Sequence, residues 1–197
     1  MTLAEYLVGL FTIVTGLALT DIVQRVAALI EHRREIKWDW LPLLFAAVAV
    51  LTLVTTWALS WQTIRRNPEE ITLARFLFSL SVYVIIYLMS AASLPRDPGP
   101  GLDLREYGER QSRPFWLLYA LLALYFGVAF VYLPALTGRV PLSLFSVFLN
   151  IVSLGVAIGL MFTRRRLLHA LGVAAILLVL ATNLSTRFGA TLNAIAT

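Results

Sequence analysis

Cysteine is absent from this 197-residue chain, and lysine occurs once, at Lys37. Without cysteine the chain cannot form disulfides, thiolate metal sites or iron–sulfur clusters, and it cannot be palmitoylated. Because no lysine lies in an apolar segment, a retinal Schiff base is excluded too. Charged residues make up 14% of the chain, against roughly 25% in soluble proteins. The sequence therefore lacks the polar surface that a soluble domain of this length needs.

Long apolar runs take up most of the chain, which is 59% hydrophobic with a mean hydropathy of +0.82. A helix needs about 20 apolar residues to cross the hydrocarbon core. The sequence predicts an all-α fold, a single transmembrane domain over residues 1–197. Its six spans are predicted at about 3–24, 40–62, 71–94, 114–136, 141–163 and 167–189. Tight turns at Asn67-Pro68 and at 138–141 predict that spans two and three are neighbours, as are spans four and five.

The basic residues are distributed unevenly between the two ends of these spans. Eleven of the 16 fall in the connections after spans one, three and five, and five fall at the other end. The positive-inside rule places the richer connections, 25–39, 95–113 and 164–166, in the cytoplasm and both termini outside. The net charge of +5 is spread over span ends, so we expect the lipid bilayer, and no nucleic acid, as a partner.

The connection 95–113 carries an unusual density of charge. Its Pro and Gly residues end the third span, and opposite charges then recur at i,i+4 spacing, which supports a helix. The pairs are Arg105 with Glu109, Glu106 with Arg110, and Glu109 with Arg113. The pattern predicts a short charged helix or turn at the cytoplasmic surface, either a solvated connector or an element that docks a protein partner.

Asp21 lies one helical turn before Arg25 in the stretch TGLALTDIVQR. Counted from Leu3, it is about 27 Å along a helix, close to the cytoplasmic boundary of a core roughly 30 Å thick. An ionisable group within a membrane is a functional candidate by default. Two interpretations stay open: a structural ion pair with Arg25 at the membrane edge, or a functional carboxylate.

Polar residues recur along the apolar spans and are candidates for a pore or a substrate path. Hydroxyls and amides can also hold helices together or bond to their own helix backbone, so packing is the alternative. Asn150 is the strongest candidate because a side-chain amide in the middle of a span needs a hydrogen-bond partner. The predicted path residues are Thr20, Asp21, Thr56, Tyr83, Asn150, Ser153, Asn183 and Arg187.

Small residues mark the expected helix contacts. Gly9 and Gly16 share one face of the first span, and Gly155 and Gly159 form a small-xxx-small motif in the fifth. The second pair points away from the Asn150 face, which gives that helix two contact faces. We therefore expect a homo-oligomer.

Enzyme signatures are missing from the sequence. It contains no HExxH motif, no glycine-rich phosphate loop and no Ser/His/Asp set. His32 and His169 both fall at the cytoplasmic edge, but no acidic residue is spaced to complete a metal site with them. We expect no metal, no cofactor and no catalytic activity.

Several motifs together resemble a known family. They are a first span ending in GLALTD, a basic stretch leading into WDWLPLL, paired Trp57 and Trp61, and DLREYGERQSRPFW before span four. The combination resembles a bacterial family of small polytopic membrane proteins that has no assigned activity. The resemblance covers most of the chain and implies a multi-pass protein of the bacterial inner membrane, but it supplies no functional residue.

Three classes of function fit these observations. The first is a small oligomeric channel or transporter for ions or small solutes. The second is a non-catalytic membrane subunit or sensor that acts through its cytoplasmic loops and a protein partner. An intramembrane enzyme is the third and has the least support.

Overall fold

The computed structural model describes residues 3–66, 72–138, 144–163 and 165–196. Within these ranges the regular elements are helices, and no strand is formed apart from one backbone bridge between Lys37 and Asp103. The all-α prediction is confirmed. The helices are α1 (Leu3–Glu31), α2 (Trp40–Arg66), α3 (Leu73–Ser93), α4 (Leu104–Gly127), α5 (Leu133–Leu136), α6 (Leu144–Phe162) and α7 (Arg166–Ala196).

Three helices of the described chain are long and apolar enough to cross a membrane, over Tyr6–Glu31, Trp40–Trp61 and Phe76–Ser93. Shorter apolar stretches lie in α6 and α7, at Val147–Phe162 and Arg166–Ala181. A π-helical turn, Val128–Tyr132, joins α4 to α5. Each of the six predicted spans therefore overlaps one helical rod, with α4, the π-helical turn and α5 forming the fourth.

Helix α2 lies at the centre of the bundle and packs against α1, α3, α4 and α7. Its Phe45, Val48 and Ala49 are fully buried, and the Phe45 ring stacks on Phe115 of α4 with centroids 4.3 Å apart. The predicted neighbours α2–α3 and α4–α6 are confirmed. The contact between α2 and α7 was not predicted.

Helix α4 begins earlier than the sequence suggested. The charged segment and span four form one helix that runs through Pro114 without a break. Asp103 starts it by accepting a hydrogen bond from the backbone N–H of Arg105 at 2.9 Å, which is the usual role of an N-cap. Farther along the same turns, Gly108 lies against the Pro42 ring of α2. Pro114 itself has no backbone N–H to donate to the preceding turn.

Two of the three predicted ion pairs on α4 are confirmed, Arg105–Glu109 at 3.3 Å and Glu106–Arg110 at 2.7 Å. Arg113 instead places its guanidinium 5.6 Å from the centroid of the Phe162 ring. The reason is that α6 ends beside α4, so an aromatic face is within reach of the cation.

Asn150 finds its partners on α4 and the π-helical turn. Its Nδ2 donates to the Ala123 carbonyl at 2.8 Å, and the Tyr132 hydroxyl donates to its Oδ1 at 3.4 Å. The amide can lie on the α4 backbone because residue 127 is glycine, where a Cβ would collide with the Asn150 amide. The predicted need for a partner is met by helix packing.

We expect Gly127→Ala to destabilise the bundle by about 1 to 3 kcal/mol, because the added methyl group displaces the Asn150 amide from Ala123. The matched control is Gly155→Ala on α6, where no heavy atom lies within 4 Å of the new Cβ. The measurement is the denaturation midpoint in detergent micelles. Equal midpoints for the two variants would contradict the close contact at Gly127.

Candidate functional site at the charged end of the bundle

The connections 32–39, 94–103 and 163–165 lie at one end of the bundle, which we call the charged end. The first two are joined by backbone hydrogen bonds: Lys37 N–H donates to Leu102 O at 2.9 Å, and Leu104 N–H donates to Lys37 O at 3.0 Å. A third bond joins Gly101 N–H to Glu35 O at 2.9 Å. Gly101 has a φ of 82°, a turn conformation that favours glycine. The connections predicted to share a side do so, while Arg164 is outside the described residues.

Arg25 ties α1 to the end of α3. Its Nε donates to Asp21 at 2.8 Å, and its Nη1 donates to the carbonyls of Leu94 at 2.8 Å and Ala91 at 3.3 Å. The last carbonyls of a helix have no partner within it and carry partial negative charge. Asp21 thus orients an arginine that caps α3, and only 8% of Arg25 is exposed. The geometry is that of a structural ion pair.

Arg166 joins the third connection to the other two. At the first turn of α7 it forms an ion pair with Asp39, which immediately precedes α2. Its guanidinium lies over the Trp40 ring, 5.7 Å from the centroid. On the α4 side, Glu109 Oε1 is 4.0 Å from Arg166 Nε. One cation therefore connects three helices.

A buried hydrogen-bonded chain lies next to Arg166. Trp116 Nε1 donates to His169 Nδ1 at 2.8 Å. Because an indole N–H only donates, Nδ1 is the unprotonated nitrogen. His169 Nε2 lies 3.1 Å from the carbonyl oxygen of Thr163 and therefore carries the proton. Neutral His169 is held between α4 and the end of α6 with both ring nitrogens engaged.

A cavity of about 250 Å³ lies beside His169 and Arg166 at the charged end. It opens between the starts of α2 and α7, the first turns of α4 and the residue after α6. Its lining combines a cation, a carboxylate, two hydroxyls, an imidazole and one apolar side chain. The residues are Leu41, Glu109, Ser112, Thr163, Arg166 and His169.

The predicted path residues that the structure describes meet different neighbours. Thr20 donates to Gly16 O of its own helix at 2.8 Å, and Tyr83 donates to the Ser60 hydroxyl of α2 at 3.2 Å. Thr56 is buried and Ser153 is half-buried. The Tyr83 bond joins α3 to α2, whereas the Thr20 bond stays within α1. The side chains of Asn183 and Arg187 are outside the described residues.

The four glycines predicted at helix contacts have open space around them. At Gly9, Gly16, Gly155 and Gly159, a Cβ would have no heavy atom within 4 Å. None of them is a close contact between helices of one chain, and contact between copies stays a prediction. The close approaches occur at Gly108, Gly127 and Gly172. The spacing Ala123-x-x-x-Gly127 is a small-xxx-small motif and is the signal that could have revealed one of them.

Metal binding finds no support in the part of the chain that the structure describes. No three His, Asp or Glu side chains there come close enough together to hold an ion. His32 Nδ1 lies 3.0 Å from the Ala28 carbonyl, and His169 uses both nitrogens in the chain described above.

Sequence reasoning missed the main residues of this site. Asp39 and Arg166 are 127 positions apart, and no local pattern connects them. Trp116 carried a weak signal, since a buried indole N–H needs an acceptor, and His169 was considered only as a metal ligand. The cavity depends on contacts between distant segments.

We expect Trp116→Phe to lower stability by about 1 to 3 kcal/mol, because it leaves His169 Nδ1 buried without a donor. The matched control is Trp38→Phe, which removes an exposed indole N–H that bonds Arg33 O at 3.1 Å and that water can replace. Circular dichroism during denaturation in detergent gives the midpoints. An equal loss in both variants would contradict the importance of the buried bond.

No family model, characterised protein or solved structure matches this chain. The resemblance to a bacterial membrane family stays an expectation. The functional conclusions therefore follow from the contacts of the charged end.

Proposed function

We propose that all six helical rods cross the inner membrane of a bacterium, with the charged end in the cytoplasm and both termini outside. Three of the rods have the length and apolarity that a span requires. The others lie beside them, and three rods begin and three end at the charged end. The excess of basic residues there supports the cytoplasmic orientation.

Within this frame, we propose that the chain is a non-catalytic membrane subunit or sensor that binds a protein partner through its charged end. The observation that supports this proposal most directly is the row of charges on the first turns of α4. The side chains of Arg105, Glu106 and Arg110 are 64%, 73% and 72% exposed. The helix that presents them is held in place by the Asp103 cap and by the contact of Gly108 with Pro42. An ordered, exposed and charged surface of this kind suits recognition of a complementary partner.

A channel or transporter is the second candidate, and one observation favours it. In the described chain, the hydroxyl oxygens of Thr52 and Thr55 on α2 are buried without a hydrogen-bond partner. Buried polar atoms are normally satisfied by protein or by ordered water. Water molecules at these two oxygens would begin a hydrated path through the bundle.

The proposed topology is testable with single cysteines, because the chain has none of its own. We expect Thr72→Cys, exposed at the end opposite the charged end, to react with a membrane-impermeant maleimide in intact cells. Arg34→Cys and Arg105→Cys should react only after permeabilisation. Labelling of all three in intact cells would contradict the proposed topology.

We expect the double substitution Arg105→Glu and Arg110→Glu to reduce co-purification of a stoichiometric partner by about tenfold or more. The two cations that the partner meets on α4 are then replaced by carboxylates, so attraction to the partner becomes repulsion. The control variant combines Glu106→Arg and Arg110→Glu. It keeps an ion pair between positions 106 and 110 but reverses the order of the two charges on the surface of α4. Loss of the partner in both variants shows that it binds the surface charges. If the exchanged variant keeps the partner, or if purified protein passes ions in liposomes without any partner, the subunit proposal fails.

A further inference from the structure

Arg113 of α4 contacts an aromatic ring and not a carboxylate. Its guanidinium lies 5.6 Å from the centroid of the Phe162 ring, within the range of a cation–π contact. Glu109, one turn earlier on α4, pairs instead with Arg105 and lies 4.0 Å from Arg166. No carboxylate of the described chain pairs with Arg113. This arginine therefore keeps an uncompensated positive charge beside Phe162.

The N–H groups of the Arg113 side chain remain open to a ligand. A guanidinium has five N–H donors, and the Phe162 ring offers no oxygen to accept from them. Among the described residues, none accepts a hydrogen bond from this side chain. Arginine binds phosphate oxygens with two parallel N–H bonds. The open donors of Arg113 are therefore suited to a phosphate group.

A second exposed cation, Arg165, lies at the same end of α6. Its backbone N–H donates to the Thr163 hydroxyl at 3.4 Å, so it follows directly on the turn that ends α6. The Arg165 side chain is exposed, and within the described ranges no carboxylate pairs with it. Because Phe162 contacts Arg113 and precedes Arg165 by three residues, both arginines lie at the exposed end of α6.

An exposed apolar surface continues from these arginines away from the charged end. Leu117, one turn along α4 from Arg113, is 47% exposed, and Ile158, one turn before Phe162 on α6, is 45% exposed. Residues four apart share a face of a helix, and α4 packs against α6. Phe162 itself is 70% exposed. Positive charge thus stands at one end of a continuous apolar surface.

We propose that this surface binds an anionic phospholipid, with the phosphate at Arg113 and Arg165 and an acyl chain along Leu117, Ile158 and Phe162. A zwitterionic lipid also has a phosphate, but its ammonium cancels the charge that attracts the two arginines. The site therefore selects lipids of net negative charge. It rests on the membrane placement proposed above and is independent of the protein partner.

The test uses the full chain in nanodiscs of equimolar phosphatidylglycerol and phosphatidylcholine. Lipid that stays bound after mild detergent extraction is measured by native mass spectrometry. We expect phosphatidylglycerol to be retained over phosphatidylcholine by about tenfold. Arg113→Gln should reduce this preference about fivefold, the effect of one arginine near an anionic surface. Phe162→Leu should also reduce it without changing the net charge, because Arg113 is then free to pair with Glu109.

The matched control is Arg110→Gln, which removes one positive charge from the same helix at a position where Glu106 already compensates it. This variant should keep the wild-type preference. Equal retention of both lipids by the wild-type protein, or equal loss of preference in the Arg110 and Arg113 variants, would overturn the proposal. Displacement of the retained lipid by free glycerol phosphate would also overturn it, since the site would then belong to a soluble phosphate.

The same experiment separates the lipid site from the membrane placement. A chain that inserts into nanodiscs without a lipid preference contradicts the site alone. A chain that fails to insert contradicts the membrane placement and the site together.

Discussion

A few buried polar side chains that bond from one helix to another hold the bundle together. A buried polar group left without a hydrogen-bond partner is costly, so such a group bonds to a neighbouring helix. Arg25 therefore bonds the end of α3, Arg166 bonds the start of α2, and Asn150 bonds the backbone of α4. Each of these side chains joins its own helix to another, so a few polar contacts fix the arrangement of the apolar rods.

The contacts are of two physical kinds, and they lie at different levels of the bundle. At the charged end, full charges meet carboxylates and helix-terminal carbonyls, where the geometry is set by long and adaptable side chains. Deeper in the bundle, at Gly127, a small residue lets an amide lie directly on a neighbouring helix. The first kind tolerates small displacements, whereas the second requires close fit.

The helices could be predicted because the length of an apolar run is a local property of the sequence. The Arg105–Glu109 and Asp21–Arg25 pairs could be predicted because their members are one helical turn apart. The need of Asn150 for a partner was also clear, but not that Ala123 O would supply it. Arg166 and Asp39 meet only because α7 packs on α2, a contact that no short-range pattern encodes. The sequence places span four at 114 because the apolar run begins there, whereas the helix begins at the Asp103 cap and includes the charged turns.

The uninterrupted helix through Pro114 has a mechanical consequence. Its 24 residues make a rod of about 36 Å at 1.5 Å per residue. Its outer turns bear the exposed charges, its middle holds Trp116 against His169, and its far end carries the Ala123 carbonyl. A hinge at residue 114 would absorb any push on the outer turns. Because the helix is unbroken there, the exposed charges and the carbonyl that Asn150 bonds belong to one continuous rod.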